Sequence, residues 1–142
     1  MRDQSKNAAR LTGKVVLDAM GSDHAPQSEI DGALAAARDF NIGVILVGQR
    51  HKVEPELLRC GWRGDGDRGI EFVEASEVIA MDDPVANSVR RKKKSSLRIG
   101  AKLVMEGRAD GFVSAGIPVR PWRPQKWLWV LFQELIGRHW RQ

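Results

Sequence analysis

The stretch KVVLDAMGSDHAPQSEIDGALAAARDFNIGVILVG, residues 14–48, holds two short apolar runs separated by a segment of helical periodicity. The first run ends in Asp, Met and Gly, and the second, IGVILVG at residues 42–48, ends in Gly, as is typical of buried strands that lead into loops. Between them, Ile30, Leu34 and Ala35 recur at helical spacing, which predicts a helix over residues 27–40. This order of elements indicates a βαβ unit with parallel strands.

The alternation continues to Gly116. It predicts a short helix over residues 52–61, a strand over 70–75, an amphipathic helix over 95–109 and a strand over 110–116. We therefore expect an α/β fold, a sandwich built on a mostly parallel sheet. In such sheets ligands bind beyond the carboxyl ends of the strands. Two segments fall at such ends, DAMGSDHAP (18–26) and VSAG (113–116).

The net charge of +5 is unevenly distributed over the 142 residues. Residues 117–142 carry five basic groups and one acidic group, whereas residues 1–116 are nearly neutral at +1. The excess of basic residues lies in residues 117–142, so it gives no reason to expect that residues 1–116 bind nucleic acid.

Cys60 is the only cysteine, which excludes an intrachain disulfide and fits a reducing cytoplasm. We expect a flexible polar leader at residues 1–13, and no apolar run approaches the roughly 20 residues of a membrane span.

The segment DAMGSDHAP gathers Asp18, Asp23 and His24 around Gly21 in one strand-to-helix loop. Backbone N–H groups and a helix N-terminus in such a loop can receive an anion. The alternative is an acidic loop whose side chains cap the next helix. No further ligands complete a metal site. The small residues of VSAG allow close approach of a ligand, or form only a tight turn.

The run VRRKKKSSLR, residues 89–98, places six basic residues around two serines. Clustered Arg and Lys can hold a phosphorylated or acidic partner. A solvated basic helix face is the alternative. Cys60 and His51 have no partner that suggests a nucleophilic dyad, and we expect both to be structural or surface residues.

Taken in order, three segments resemble one known family. VVLDAMGSDHAP (15–26), ILVG (45–48) and the stretch 70–116, which includes RRKKKSS and VSAG, are similar to the N-terminal part of PlsX-type phosphate acyltransferases. Ser22 stands where that family usually has glycine, and Lys94 where it usually has an acid. The resemblance covers residues 14–116.

The resemblance implies a Rossmann-like α/β/α sandwich, truncated in this chain, and a homodimer. It implies transfer of an acyl group from acyl carrier protein to inorganic phosphate, giving acyl phosphate for phospholipid synthesis. The enzyme would be cytoplasmic, with peripheral membrane association and without cofactor or metal. The residues expected to contact substrate or phosphate are Asp18, Gly21, Asp23, His24, Ser114 and Gly116. Those expected to contact the ligand or the acidic carrier protein are Arg90, Arg91, Lys92, Lys93, Ser95 and Ser96.

Composition changes abruptly after Gly116, where the family continues with the glycine turn NTGA. Four of the five tryptophans lie in residues 117–142. Restoring one base after the Gly116 codon permits the reading NTGAPMATAKMVVGFVPGIDRPALAP, which resembles the family over all 26 residues of this tail. The Trp129–Val130 and His139–Trp140 codon pairs force a Gly and a Leu that fit this reading. The sequence therefore predicts an out-of-frame tail and an inactive chain.

Two other functions stay open at this stage. The Trp and Arg residues of the tail could stack on bases and pair with phosphates, or lie in a lipid interface, as in a small basic binding protein. A phosphotransacetylase-like enzyme that uses a coenzyme A thioester is the other alternative.

Overall fold

The computed structural model describes residues 11–79 and 91–114. Its strands are β1 (Gly13–Asp18), β2 (Ile42–Gly48), β3 (Ile70–Glu74) and β4 (Gly111–Val113), and its helices are α1 (Gln27–Phe40), α2 (Arg50–Arg59) and α3 (Ser96–Met105). The strands form one sheet in the order β3-β2-β1-β4, and every pairing is parallel. The predicted α/β fold with a parallel sheet is confirmed.

Strand β2 shows why its sequence is continuously apolar. Val44 and Leu46 pack on one face of the sheet in a core that includes Ile30 of α1 and Leu57 of α2. Ile45 and Val47 point to the other face, where Leu103 of α3 covers them. A strand that is buried on both faces has no solvent-facing positions, so the alternation of polar and apolar residues disappears.

The boundaries of α1 and β2 match the predicted residues 27–40 and 42–48. The helix ends because Asn41 adopts the left-handed conformation with φ 55°, and its N–H donates to the carbonyl of Ala36. Asparagine tolerates this conformation better than most residues other than glycine. One residue therefore both ends the helix and turns the chain into the next strand.

Other boundaries differ from the sequence prediction. Helix α2 begins at Arg50, two residues early, and α3 ends at Met105 although its pattern continues to residue 109. The reason is Gly107, with φ 75°, which allows the N–H groups of Gly107 and Arg108 to donate to Val104 and Leu103. This Schellman arrangement uses the last carbonyls of the helix and prevents another turn. Strand β4 is shorter than the predicted strand over 110–116, and Ser114 lies beyond its end. Residues 1–10 and the tail from 117 lie outside the described residues.

The glycine-rich loop 61–69 covers the outer edge of β3. The backbone N–H of Phe72 donates to Asp65 Oδ1 at 2.8 Å, and the carbonyl of Ile70 accepts from the N–H of Gly66 at 2.9 Å. Trp62 Nε1 donates to the same carbonyl at 3.1 Å. Backbone groups on a sheet edge would otherwise be open to pairing with another chain. The loop therefore gives this edge intramolecular partners.

Close contact between α3 and β4 depends on the absence of a side chain at position 100. A Cβ on Gly100 would overlap the Phe112 ring, with Cδ2 only 2.6 Å away. Phe112 packs against the same core as Leu103. Gly100 therefore sets how closely the helix approaches β4.

We predict that Gly100→Ala lowers the free energy of unfolding by about 1–3 kcal/mol, since the added methyl group must displace a packed aromatic ring. Gly32→Ala is the matched control, because Gly32 is also helical but has no atom within 4 Å of the position that a methyl group there would take. That control should gain up to about 1 kcal/mol from helix propensity. Urea denaturation measures both changes, and equal effects of the two substitutions would contradict the packing role of Gly100.

Candidate functional site

Asp18, the last residue of β1, lies at the centre of the carboxyl edge of the sheet. Its side chain is only 5% exposed. Oδ1 accepts a hydrogen bond from the N–H of Met20 at 3.0 Å, and Oδ2 accepts one from the Ser114 hydroxyl at 2.9 Å. A buried carboxylate needs such donors to offset the loss of hydration. The two oxygens of Asp18 therefore join the loop after β1 to the residue that follows β4.

The pairing register explains why Asp18 and Ser114 meet. Leu17 pairs with Val113 in parallel strands, so the residues that follow them, Asp18 and Ser114, lie side by side. Side chains two residues apart point to the same face of a strand. Asp18 and Ser114 consequently lie on the face that Val16 and Phe112 share with α3. Two segments that the sequence singled out separately form one hydrogen-bonded pair.

The loop after β1 returns tightly to α1. Asp23 and His24 are exposed, and the His24 carbonyl accepts from the N–H of Gln27 at 3.0 Å. No side chain caps α1, whose N-cap is Pro26, so helix capping by the Asp and Ser residues is not what the structure shows. The first turn of α1 instead contains the buried Glu29, whose Oε2 accepts from the Ser28 hydroxyl at 3.2 Å.

Met20 packs over the end of β2. A Cβ on Gly48 would lie 3.1 Å from Met20 Cγ and 2.9 Å from Val53 Cγ2. The absence of a side chain at Gly48 therefore lets the first loop cross close above the neighbouring strand. Sequence reasoning treated Gly48 only as a strand end and missed this contact.

The basic segment before α3 is anchored to the chain that follows β3. Glu77 accepts from the backbone N–H of Lys94 at 2.7 Å through Oε2, and its own N–H donates to the Lys94 carbonyl at 3.1 Å. Lys92 is half-buried, and its Nζ donates to the Val78 carbonyl at 2.9 Å. Arg91, Lys93 and Lys94 have exposed side chains. Lys92 thus has an internal contact, and Arg90 lies outside the described residues.

The two serines of the basic run lie in different environments. Ser95 is fully buried and is the N-cap of α3, where its Oγ accepts from the N–H of Arg98 at 3.4 Å. Ser96 is 5% exposed and lies on the helix face that also buries Gly100 and Leu103. That face packs on the sheet. Ser95 is therefore a capping residue, and Ser96 faces the strands.

The position of Ser96 along the sheet follows from Gly100, which contacts Phe112. Four residues of helix and two residues of strand both advance by about 6 Å. Because α3 runs antiparallel to the strands, one turn from Gly100 to Ser96 corresponds to the step from Phe112 to Ser114. Ser96 therefore lies one helical turn nearer than Gly100 to the carboxyl edge of the sheet.

Residues near the start of α2 extend this edge of the sheet. Gln49 Nε2 donates to the Ser76 carbonyl at 3.3 Å. Arg50 is hydrogen-bonded to Glu54 at 3.3 Å and to Glu74 at 3.4 Å, and these carboxylates raise the pKa of its guanidinium above the usual range. His51 is exposed at the start of α2, whereas Cys60 follows its last residue. Their placement at opposite ends of one helix agrees with the absence of a dyad between them.

Within residues 11–79 and 91–114, no group of three or more His, Cys, Asp or Glu side chains is placed to hold a metal ion. No helix in the same two ranges is long and apolar enough to cross a membrane. Of the predicted site residues, Gly21 lies half-buried in the first loop, and Gly116 lies outside the part of the chain that the structure describes.

A family profile described as "Fatty acid synthesis protein" matches residues 13–118. The chain is also similar to phosphate acyltransferases from Koribacter versatilis, at 50% identity over 102 residues, Citrifermentans bemidjiense, at 48% over 103, and Geotalea daltonii, at 47% over 103. Each similarity covers 72% of this chain but only 28% or 29% of the relative. The chain thus spans less than a third of the length of these curated relatives.

We predict that Asp18 and Ser114 are energetically coupled. In a double-mutant cycle of Asp18→Ala and Ser114→Ala, the coupling free energy should be about 1–3 kcal/mol, since the bond joins a hydroxyl to a buried carboxylate. Urea denaturation of the four proteins measures it. Ser76→Ala, an exposed serine on the same edge, serves as the control and should add to Asp18→Ala within about 0.5 kcal/mol. Additivity of the Asp18 and Ser114 substitutions would contradict the link.

Proposed function

Because the chain belongs to the fatty acid synthesis protein family, we propose that residues 14–116 are the N-terminal part of a phosphate acyltransferase of phospholipid synthesis. The reaction is transfer of an acyl group from acyl carrier protein to inorganic phosphate. Similarity to relatives that bear the name phosphate acyltransferase supports the proposal. The structural observation that carries it is the Asp18–Ser114 bond, which brings two family segments together at the carboxyl edge of the sheet.

The chemistry needs a positioned phosphate and a place for negative charge. A phosphate oxygen attacks the thioester carbonyl, a C–O bond forms, and the C–S bond breaks to release the carrier thiolate, which takes up a proton. The tetrahedral intermediate carries an oxyanion that hydrogen-bond donors must stabilise. We propose that the loop with Gly21, Asp23 and His24, together with Ser114 and Gly116, forms the surroundings of this centre. Asp18 holds the two segments in position.

The basic segment suits an acidic carrier protein. The side chains of Arg91, Lys93 and Lys94 are exposed and form no ion pair with the described residues. They lie just before α3, at the same edge as Asp18. Exposed charges of one sign steer an oppositely charged partner toward the site. We include Arg90 and Lys92 in this proposed surface. We also propose the homodimer and the peripheral membrane association that the family implies.

We also propose that residues 117–142 are an out-of-frame tail. The support is the codon reading that restores NTGA directly after VSAG, together with the match of the family profile as far as residue 118. In this proposal the Trp and Arg residues of the tail have no binding role. The chain is then inactive because it lacks the polar glycine turn that would follow Gly116.

The frame proposal predicts particular codons at the locus. Reading NTGA after restoration of one base requires ATA for Ile117, CCG for Pro118, GTG for Val119 and a CGN codon for Arg120. Sequencing the genomic DNA across the Gly116 codon checks this. Any other codon at Ile117, Pro118 or Val119 would contradict the proposed reading.

The protein that the locus would encode after one base is restored following the Gly116 codon is called here the frame-restored protein. We predict that it forms acyl phosphate and that the present chain forms none. The assay measures the free thiol of the carrier protein that is released when acyl-loaded carrier protein reacts with inorganic phosphate as acceptor. In the restored protein, Lys93→Glu should raise the KM for the carrier protein several-fold at low salt and leave kcat nearly unchanged, because rim charges act on association. Turnover by the present chain would contradict its proposed inactivity.

The control for charge reversal is Arg63→Glu, in the loop at the amino end of the sheet. Arg63 is exposed like Lys93 but is remote from the carboxyl edge. Its reversal should leave the KM for the carrier protein unchanged. An equal rise in both variants would mean that net charge, and not the segment before α3, governs carrier binding.

A further inference from the structure

We propose that Glu77 is a positioning residue, which fixes the turn that presents Lys93 and Lys94 to the acidic surface of the carrier protein. This role rests on the proposed function, because it concerns how the carrier protein is recognised. It gives a carboxylate the task of placing a basic surface, although the negative charge by itself weakens the attraction of an acidic partner.

The two lysines lie at the tip of a tight turn. The N–H of Ser95 donates to the Lys92 carbonyl at 3.2 Å, and a bond with this spacing makes Lys93 and Lys94 the central residues of a β-turn. The N–H of Lys93 also donates to the Arg91 carbonyl at 3.1 Å. Both central side chains are exposed, and neither forms an ion pair with a described residue. The turn therefore presents two ammonium groups to solvent.

Both ends of this turn are attached to the rest of the chain. Lys92 Nζ donates to the Val78 carbonyl at 2.9 Å, so the first residue of the turn has an internal contact. Ser95, the last residue of the turn, is fully buried and caps α3. These contacts fix the two ends, whereas the orientation of the central residues depends on a further side chain.

Glu77 holds the centre of the turn through both backbone groups of Lys94. Its Oε2 accepts from the Lys94 N–H at 2.7 Å, and its own N–H donates to the Lys94 carbonyl at 3.1 Å. A hydrogen bond to a carboxylate is shorter and stronger than one between neutral groups. The peptide groups on either side of Lys94 therefore cannot rotate without losing one of these two contacts.

The carboxylate of Glu77 is bonded to the backbone, and it forms no ion pair with Lys93 or Lys94. A negative charge beside a basic surface lowers the positive potential that attracts an acidic protein. A fixed turn offsets this loss, because side chains on an ordered backbone lose less conformational freedom when a partner binds. The charge of Glu77 and its positioning role therefore have opposite effects on carrier binding.

Two substitutions in the frame-restored protein separate these effects. Glu77→Ala removes both the charge and the acceptor of the Lys94 N–H, whereas Glu77→Gln removes the charge and keeps an acceptor oxygen. We expect Glu77→Ala to raise the KM for the acyl carrier protein about three- to ten-fold at low salt with kcat nearly unchanged. Glu77→Gln should leave this KM unchanged or lower it. A KM that does not rise in Glu77→Ala, or that rises equally in both variants, would overturn the positioning role.

Glu74→Ala is the matched control. Glu74 ends β3 at the same edge of the sheet and is exposed, but its carboxylate pairs with Arg50 and does not contact the turn. The same loss of charge there should not raise the KM. Glu77→Ala should also have no effect when Lys93 and Lys94 are both replaced by alanine, because no ammonium group is then displaced. A full effect in that background would show that Glu77 does not act through these lysines.

Amide hydrogen exchange of the present chain tests the turn without any activity. The Lys94 N–H should be protected in the unmodified chain and should exchange about ten-fold faster or more in Glu77→Ala, because its acceptor is lost. The N–H of Ala75, which donates to the Gly48 carbonyl at 2.8 Å, should stay protected in both and report that the variant is folded. Rapid exchange of Lys94 in the unmodified chain would overturn the role whatever the variants do.

These measurements also distinguish a failure of this role from a failure of the proposed function. A frame-restored protein that protects the Lys94 N–H but forms no acyl phosphate would overturn the proposed function and leave the turn intact. Normal turnover with an unchanged KM in Glu77→Ala would overturn the role of Glu77 and leave the proposed function intact.

Discussion

The backbone pairing of β1 with a strand on each side is the interaction on which the rest of the structure depends. All six residues of β1 pair with β2, and three of them also pair with β4. Strand β4 has no other strand partner among the described residues, so its position depends on β1. Because the strands are parallel, this pairing also brings their carboxyl ends to one edge. The contact between Asp18 and Ser114 is a direct consequence.

Close packing transmits that arrangement to the helices. Gly100 lets α3 approach Phe112, and Gly48 lets Met20 cross over the end of β2. In both places a missing side chain allows two backbone segments to approach closely, as expected where elements pack tightly. The distance between α3 and β4 follows from the first of these contacts. The geometry of the candidate site is therefore set by packing in the core below it.

The cations at the two ends of the sheet differ in whether they form ion pairs within the chain. At the amino end of the sheet, Glu71 pairs with Lys14 at 2.7 Å and with Arg108 at 3.6 Å, so these two cations have an internal partner. At the carboxyl edge, Lys93 and Lys94 form no ion pair with the described residues. Neutralised charges contribute little to recognition, whereas unpaired ones can attract an anionic ligand or partner. Lys93 and Lys94 are therefore available to such a partner, whereas Lys14 and Arg108 are not.

The sequence by itself determined the order of strands and helices, because apolar periodicity and residues such as Asn41 act over a few neighbouring positions. It also determined which segments resemble the acyltransferase family. Only the tertiary structure decided that Asp18 and Ser114, 96 residues apart, form a hydrogen bond, since strand order is not a local property. Only the structure showed that Ser95 caps α3, whereas Ser96 is a buried residue of its first turn. Adjacent helical residues point about 100° apart, so a helix start that differs by one residue from the sequence prediction decides which serine caps the helix and which faces the sheet.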